Sequence, residues 1–126
     1  MRFYITLVVL LILILALGIF NQVLLAKSTD TVTANFNQIY REINNENWAE
    51  AQNKIKISKN HWEKHKNWWS MVINHQEIDN IESSFSKISE YIKYHDKALS
   101  SGELIVLKQF LEHIPEKEKI TFKNIL

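Results

Sequence analysis

No charged residue stands between Arg2 and Lys27. Within that interval Phe3 to Phe20 is an unbroken run of eighteen uncharged residues, fourteen of them Leu, Ile, Val or Phe. A run of this length and composition predicts a membrane-spanning helix. At about −0.3 to −0.6 kcal/mol for each large aliphatic residue the segment inserts with several kcal/mol to spare, even with Asn21 and Gln22 near its outer end. As a helix rising about 1.5 Å per residue, residues 3–26 make a rod of roughly 36 Å, against a hydrocarbon core of about 30 Å.

The flanking charges orient the span. The amino terminus and Arg2 precede it, whereas Lys27 is followed soon by Asp30, a bias that favours the N-terminus inside and the rest of the chain on the extracytoplasmic side. A removable signal peptide is the alternative, with Ala16-Leu17-Gly18 as its small-x-small site. Cleavage there leaves an apolar Ile19-Phe20 terminus, and Leu24-Leu25-Ala26 has a bulky residue where a small one is required. An uncleaved anchor over residues 1–26 is preferred, followed by an extracytoplasmic domain over residues 27–126.

Composition narrows what that domain can be. Two glycines, Gly18 and Gly102, cannot build a dinucleotide fingerprint or a P-loop. The absence of cysteine removes disulfides, thiolate catalysis and cysteine-ligated zinc. One proline and two glycines supply almost no turns for a many-stranded sheet, whereas long helices need none. The class is therefore all-α: a transmembrane helix, then a small antiparallel bundle of three to four helices. From Lys27 onward 14 basic residues balance 14 acidic ones, so nothing points to bulk attraction for nucleic acid.

Apolar periodicity predicts the helices. Val32, Phe36, Ile39 and Ile43 mark a first one over about Thr29–Asn44, which either stands alone or prolongs the span. Asn47 with Glu50 matches a capping box, so a second begins near Trp48 with the seam Trp48, Ala51, Ile55, Ser58, Trp62 and Trp69. A third carries Ile78, Ile81, Phe85, Ile88 and Ile92, reaching back to Met71 and on to His95 and Leu99, and packs antiparallel to the second. Lys54, Lys56, Lys59, Lys64 and Lys66 then form a solvated face meeting Glu77, Asp79, Glu82 and Glu90 across the hairpin. Ser100-Ser101-Gly102-Glu103 is expected to break that helix and cap a fourth, carrying Leu104, Leu107, Leu111 and Ile114 and ended by Pro115. The tail from Ile120 to Leu126 is expected to dock through Phe122 and Ile125. Trp48, Ile55, Trp62, Ile78, Ile81, Phe85, Ile88 and Ile92 are the expected core anchors.

Three sets of residues carry candidate chemistry. His61 and His65 stand one turn apart, but Glu63 is not placed as in the zincin motif and no third metal ligand is identifiable. His75 and Asp79 share a face at i and i+4, while Glu77 points about 200° away from His75, so no nucleophile, base and orienting group converge. Trp68, Trp69, His75, Glu77 and Asp79 instead suggest a polar brace, with His75 bonded to a tryptophan indole, or an interaction surface with Trp68 outward. No cofactor is implied. The reading is a non-enzymatic, membrane-anchored interaction module; a lipid or small-molecule sensor with a cavity near Ala51 and Ser58 is the alternative, and a hydrolase using His61, His65, His75 and Asp79 is less favoured.

The motifs Asn47-Trp48-x-x-Ala51, Trp68-Trp69-x-x-x-Ile73-x-His75-x-Glu77-Ile78-Asp79-x-Ile81, Gly102-Glu103-Leu104 and His113-Ile114-Pro115-Glu116-Lys117-Glu118 with a closing Ile125-Leu126 make the chain resemble domain of unknown function family 4363. The resemblance covers essentially the whole chain. It implies small single-span proteins of Gram-positive, largely endospore-forming bacteria, with no established activity. It also implies, more weakly, a membrane-protein partner from domain of unknown function family 421. It supplies no catalytic residue.

Overall fold

The structure, a computed structural model, describes the backbone of residues 1–125 and the side chains of residues 1–117. Its elements are α1 (Arg2–Thr33), α2 (Phe36–Asn44), α3 (Trp48–Val72), α4 (His75–Lys93) and α5 (Lys97–Ile125), with no strand among the described residues. The all-α expectation holds. Among the described residues one helix, α1, is long and apolar enough to cross a bilayer, and its side chains from Phe3 to Ile14 are all exposed.

The first soluble helix prolongs that rod. No Gly or Pro stands between Lys27 and Asn44, Ala34 keeps helical angles (φ −54°, ψ −35°), and only Asn35 (φ −96°, ψ 0°) dislocates the backbone before α2 resumes. The hydroxyls of Ser28, Thr31 and Thr33 each donate to the carbonyl four residues back, a pattern that bends helices. Across the bend Val32, Phe36, Ile39 and Ile43 stay on one buried face. Their spacing of three and four is what keeps them there.

The rod, α3, α4 and α5 pack as four members in up-down-up-down order: α3 and α5 both lean on the rod, and α4 closes the bundle between them. Ile55, Trp62 and Trp69 of α3 meet Ile78, Ile81, Phe85, Ile88 and Ile92 of α4 and Leu104, Leu107, Leu111 and Ile114 of α5 in one continuous core. Leu25 is fully buried in that core. The bundle therefore begins on the last turn of the apolar run, just before the expected boundary at residue 27.

The two turns far from the apolar run are built alike. Glu46 and His95 both adopt positive φ, 58° and 57°, with the following N–H reaching back five residues (Asn47 to Glu42, Asp96 to Tyr91) and their own N–H three (to Ile43 and Ile92). This is the Schellman arrangement, made here without glycine. It corrects the expected third helix: His95 stands outside α4, not on its seam. Leu99 belongs to α5 and is exposed. Met71, at the other limit, lies in the last turn of α3 and is 83% exposed. The break is not at Ser100–Glu103 either, because Asp96 caps α5 by accepting from the Leu99 N–H at 2.9 Å. Ser100 and Gly102 are then interior residues of α5, and Glu103 accepts from the Ser84 hydroxyl of α4 at 2.9 Å. Asn47 does occupy the first cap of α3, but its side chain makes no cap bond.

Pro115 does not end the last helix. It sits inside α5, which continues to Ile125. A proline lacks the N–H that would satisfy the carbonyl four residues back, here that of Leu111. Thr29 of α1 supplies the missing donor, its buried hydroxyl lying 3.1 Å from the Leu111 oxygen. The side chains of the docking tail, Ile120, Phe122, Ile125 and Leu126, lie outside the described residues.

Replacing Thr29 by Val leaves the Leu111 carbonyl buried and unbonded, and lowers stability by about 1–3 kcal/mol. The same substitution in a Pro115→Ala background costs less, because the alanine brings its own N–H. Thermal unfolding of the full-length protein in detergent, followed by circular dichroism, measures both; equal losses in the two backgrounds would refute the pairing.

Candidate functional site

Trp48, Ile55, Trp62 and Trp69 of α3 stand seven residues apart, so they line one face of the helix. Trp62 and Trp69 are fully buried and meet edge to face, with ring centroids 5.3 Å apart at 78°, the geometry that sets the positive edge of one ring against the negative face of the other. Trp48 is only half-buried; its ring stacks on His95 at 5.1 Å and 3°. That stack joins the two distal turns, a contact that sequence periodicity could not reveal.

The polar brace of the core is Glu82, not His75. The Trp62 indole N–H donates to Glu82 Oε1 at 3.0 Å, and Lys66, one turn further along α3, reaches the same oxygen at 2.8 Å. Burial by itself would raise the Glu82 carboxyl, but the Lys66 ammonium and the Trp62 N–H outweigh it and hold the group below its ordinary value. Glu82 in turn holds the Lys66 ammonium above the usual lysine value. The signal for it in the sequence was a buried indole that needs an acceptor from the antiparallel neighbour. The rest of the lysine face does not follow the expected hairpin pairing: Lys54 pairs back to Glu42 of α2 at 3.3 Å, and Glu77 pairs with Lys117 of α5 at 3.5 Å.

The five residues of the Trp-Trp motif do not form one surface. Trp68 is half-buried against α1, Trp69 points into the core, and Glu77 turns to α5. His75 and Asp79 are exposed on α4. No hydrogen bond joins them among the described residues, and the buried Trp69 indole nitrogen has no partner. His61 and His65 are half-buried on α3, and no group of three His, Asp or Glu placed to hold a metal occurs among the described residues.

Surface grooves flank the rod instead. Between α2 and α5 a mostly apolar groove of about 230 Å³ is lined by Phe36, Tyr40, Leu104 and Ile105, with Asn37 and Lys108. Between α1 and α3, where the bundle meets the apolar run, a groove of about 290 Å³ is lined by Leu24, Lys27, Ser28, Thr31, Lys64, His65 and Trp68. Neither is lined by Ala51 or Ser58, which are buried at 0% and 1% exposure in the packed interior.

A family model, that of Domain of unknown function (DUF4363), matches the chain over residues 19–125, from within α1 through α5. The chain belongs to this family. The match begins at Ile19, inside the apolar run. No curated protein and no solved structure matches the chain.

Because the folded Glu82 carboxyl lies below its ordinary value of 4.5, its charge stabilises the fold above that value, and the contribution is lost as pH falls through the lower folded one. Glu82→Gln keeps an acceptor for Trp62 but loses the ion pair with Lys66. The variant is expected to melt below the parent at pH 7, with the gap closing as pH falls below the ordinary carboxyl value of 4.5. A gap independent of pH would show that the charge contributes nothing.

Proposed function

We propose that the protein is a non-enzymatic, membrane-anchored interaction module, held by α1 on the outer face of the bacterial cytoplasmic membrane and docked on a partner membrane protein. One observation carries the reading: α1 passes without a linker from an exposed apolar run into the core, where Leu25 and Val32 are both fully buried. A flexible tether would let a domain search the space beyond the lipid. This bundle has none. The 19 residues of α4 span about 29 Å at 1.5 Å per residue, so a partner must present its surface within about that distance of the bilayer. A second membrane protein does so by construction, and a member of domain of unknown function family 421 is the candidate that the resemblance offers.

The chemistry of the described residues supports the non-enzymatic reading. Several of their polar side chains are engaged in braces between helices, as in Trp62–Glu82–Lys66 and Ser84–Glu103, and no reactive group stands beside an orienting partner in a cleft among them. The α2–α5 groove offers an apolar contact, with Tyr40 and Ile105 at its exposed rim, suited to a side chain from a helix of the partner.

The cysteine-free sequence makes the test clean. Tyr94→Cys is expected to react with a membrane-impermeant maleimide in intact cells, and Arg2→Cys only after permeabilisation. A photoreactive residue at Ile105 is expected to give one discrete adduct with an integral membrane protein, lost on Tyr40→Glu. Labelling of Tyr94→Cys only after permeabilisation would overturn the orientation, and no protein adduct from Ile105 would overturn the docking.

A further inference from the structure

We propose that the groove between α1 and α3 binds the phosphodiester headgroup of an anionic phospholipid in the leaflet adjoining the bundle. The proposal rests on α1 crossing the bilayer, and otherwise on the groove alone.

Its charge is of one sign. Lys27 and Lys64 line it from opposite helices, with the His65 imidazole beside them, and no acidic residue contributes to the lining. Neither lysine takes part in an ion pair among the described residues. Lys66, by contrast, is neutralised by Glu82 at 2.8 Å, and Asp30 lines a different groove, on the α5 side of α1. Two ammonium groups and an imidazole lining one open groove are suited to a phosphate.

Its height is that of lipid headgroups. Lys27 is the first charged residue after the apolar run, and Phe20 and Val23, just below it on α1, are exposed. Because α1 rises while α3 returns, the end of α3 beyond Trp68 lies level with that run. There Met71 is 83% exposed and Val72 borders on exposure. An indole at this level, half-buried, sits where tryptophans gather at the membrane interface.

Its floor separates a lipid from a free anion. Leu24 and the Trp68 ring make part of the lining apolar, and this surface continues downward into the exposed side chains of α1. Inorganic phosphate has nothing to place there. A phosphodiester carrying a diacylglycerol places its anionic oxygens among Lys27, Lys64 and His65 and its glycerol and first methylenes on Leu24 and Trp68.

The test uses the full-length protein in a neutral detergent, titrated with palmitoyl-oleoyl phosphatidylglycerol, with palmitoyl-oleoyl phosphatidylcholine or with inorganic phosphate, and read by native mass spectrometry for bound adducts. A lysine near an anionic headgroup is worth roughly a fivefold change in binding. Lys27→Gln with Lys64→Gln is therefore expected to reduce phosphatidylglycerol binding about twentyfold relative to phosphatidylcholine, at unchanged helical content. Lys56→Gln with Lys87→Gln removes the same charge from exposed positions elsewhere and is expected to change it less than twofold. Phosphatidylglycerol bound no better than phosphatidylcholine, or equal losses in the two double variants, would overturn the site. Inorganic phosphate displacing phosphatidylglycerol at equal concentration would overturn the lipid and leave a simple anion site. None of these readouts involves a protein partner or the side of the membrane, so they fail or succeed independently of the docking and labelling experiments.

Discussion

One helix has to satisfy two solvents. From Arg2 to Thr33 α1 is a single hydrogen-bonded rod, exposed and apolar along its first part and buried against α3 and α5 along its last. The change occurs within about two turns, between Phe20, which is exposed, and Leu25, which is not. Everything else is fitted to that rod. Because it contains no joint, the register of α3 and α5 against it fixes the bundle relative to the apolar run, and with it the height of every surface residue.

The devices that secure the register are polar contacts inside an apolar frame. Thr29 donates to a carbonyl that Pro115 leaves without an N–H, so a proline that would weaken an isolated helix becomes the place where α5 is keyed to α1. Trp62 and Lys66 share one oxygen of Glu82 and key α3 to α4. Ser84 donates to Glu103 and keys α4 to α5. An apolar seam alone tolerates sliding by a turn, whereas a buried donor without its acceptor costs about 1–3 kcal/mol. These bonds therefore select one alignment out of several with similar apolar burial.

The same alignment divides the surface into regions with different character. The distal end carries the Trp48–His95 stack and the two glycine-free turns. The middle carries the apolar α2–α5 groove, and the base carries the cationic α1–α3 groove beside exposed Met71. On the proposed placement, the base faces headgroups and the middle faces a neighbouring protein. The two surfaces lie on opposite flanks of the rod, so both can be occupied at once.

Much of this architecture was legible in residue order. The charge-free run, the absence of turn formers and the three-and-four spacing of Val32 to Ile43, Ile78 to Ile92 and Leu104 to Ile114 dictate helices and their buried faces, because burial of an apolar stripe is a local property of one helix. The ends of α4 and α5 were not legible. Ser100 and Glu103 have the spacing of a cap, yet Asp96 is the cap and His95 takes the left-handed turn, a choice made when Trp48 stacks on His95 and Ser84 claims Glu103. Pro115 reads as a stop, and becomes an interior residue only because Thr29, 82 positions from Leu111, answers the carbonyl it leaves open. Nor did proximity along the chain make Trp68, His75, Glu77 and Asp79 a site: α3 and α4 turn them toward α1, solvent and α5. Sequence by itself determined most of the side chains that leave water, Met71, His95 and Leu99 excepted. Only the tertiary structure decided which polar groups meet once they have left it, since a hydrogen bond between helices depends on register, and register is settled by all four members of the bundle together.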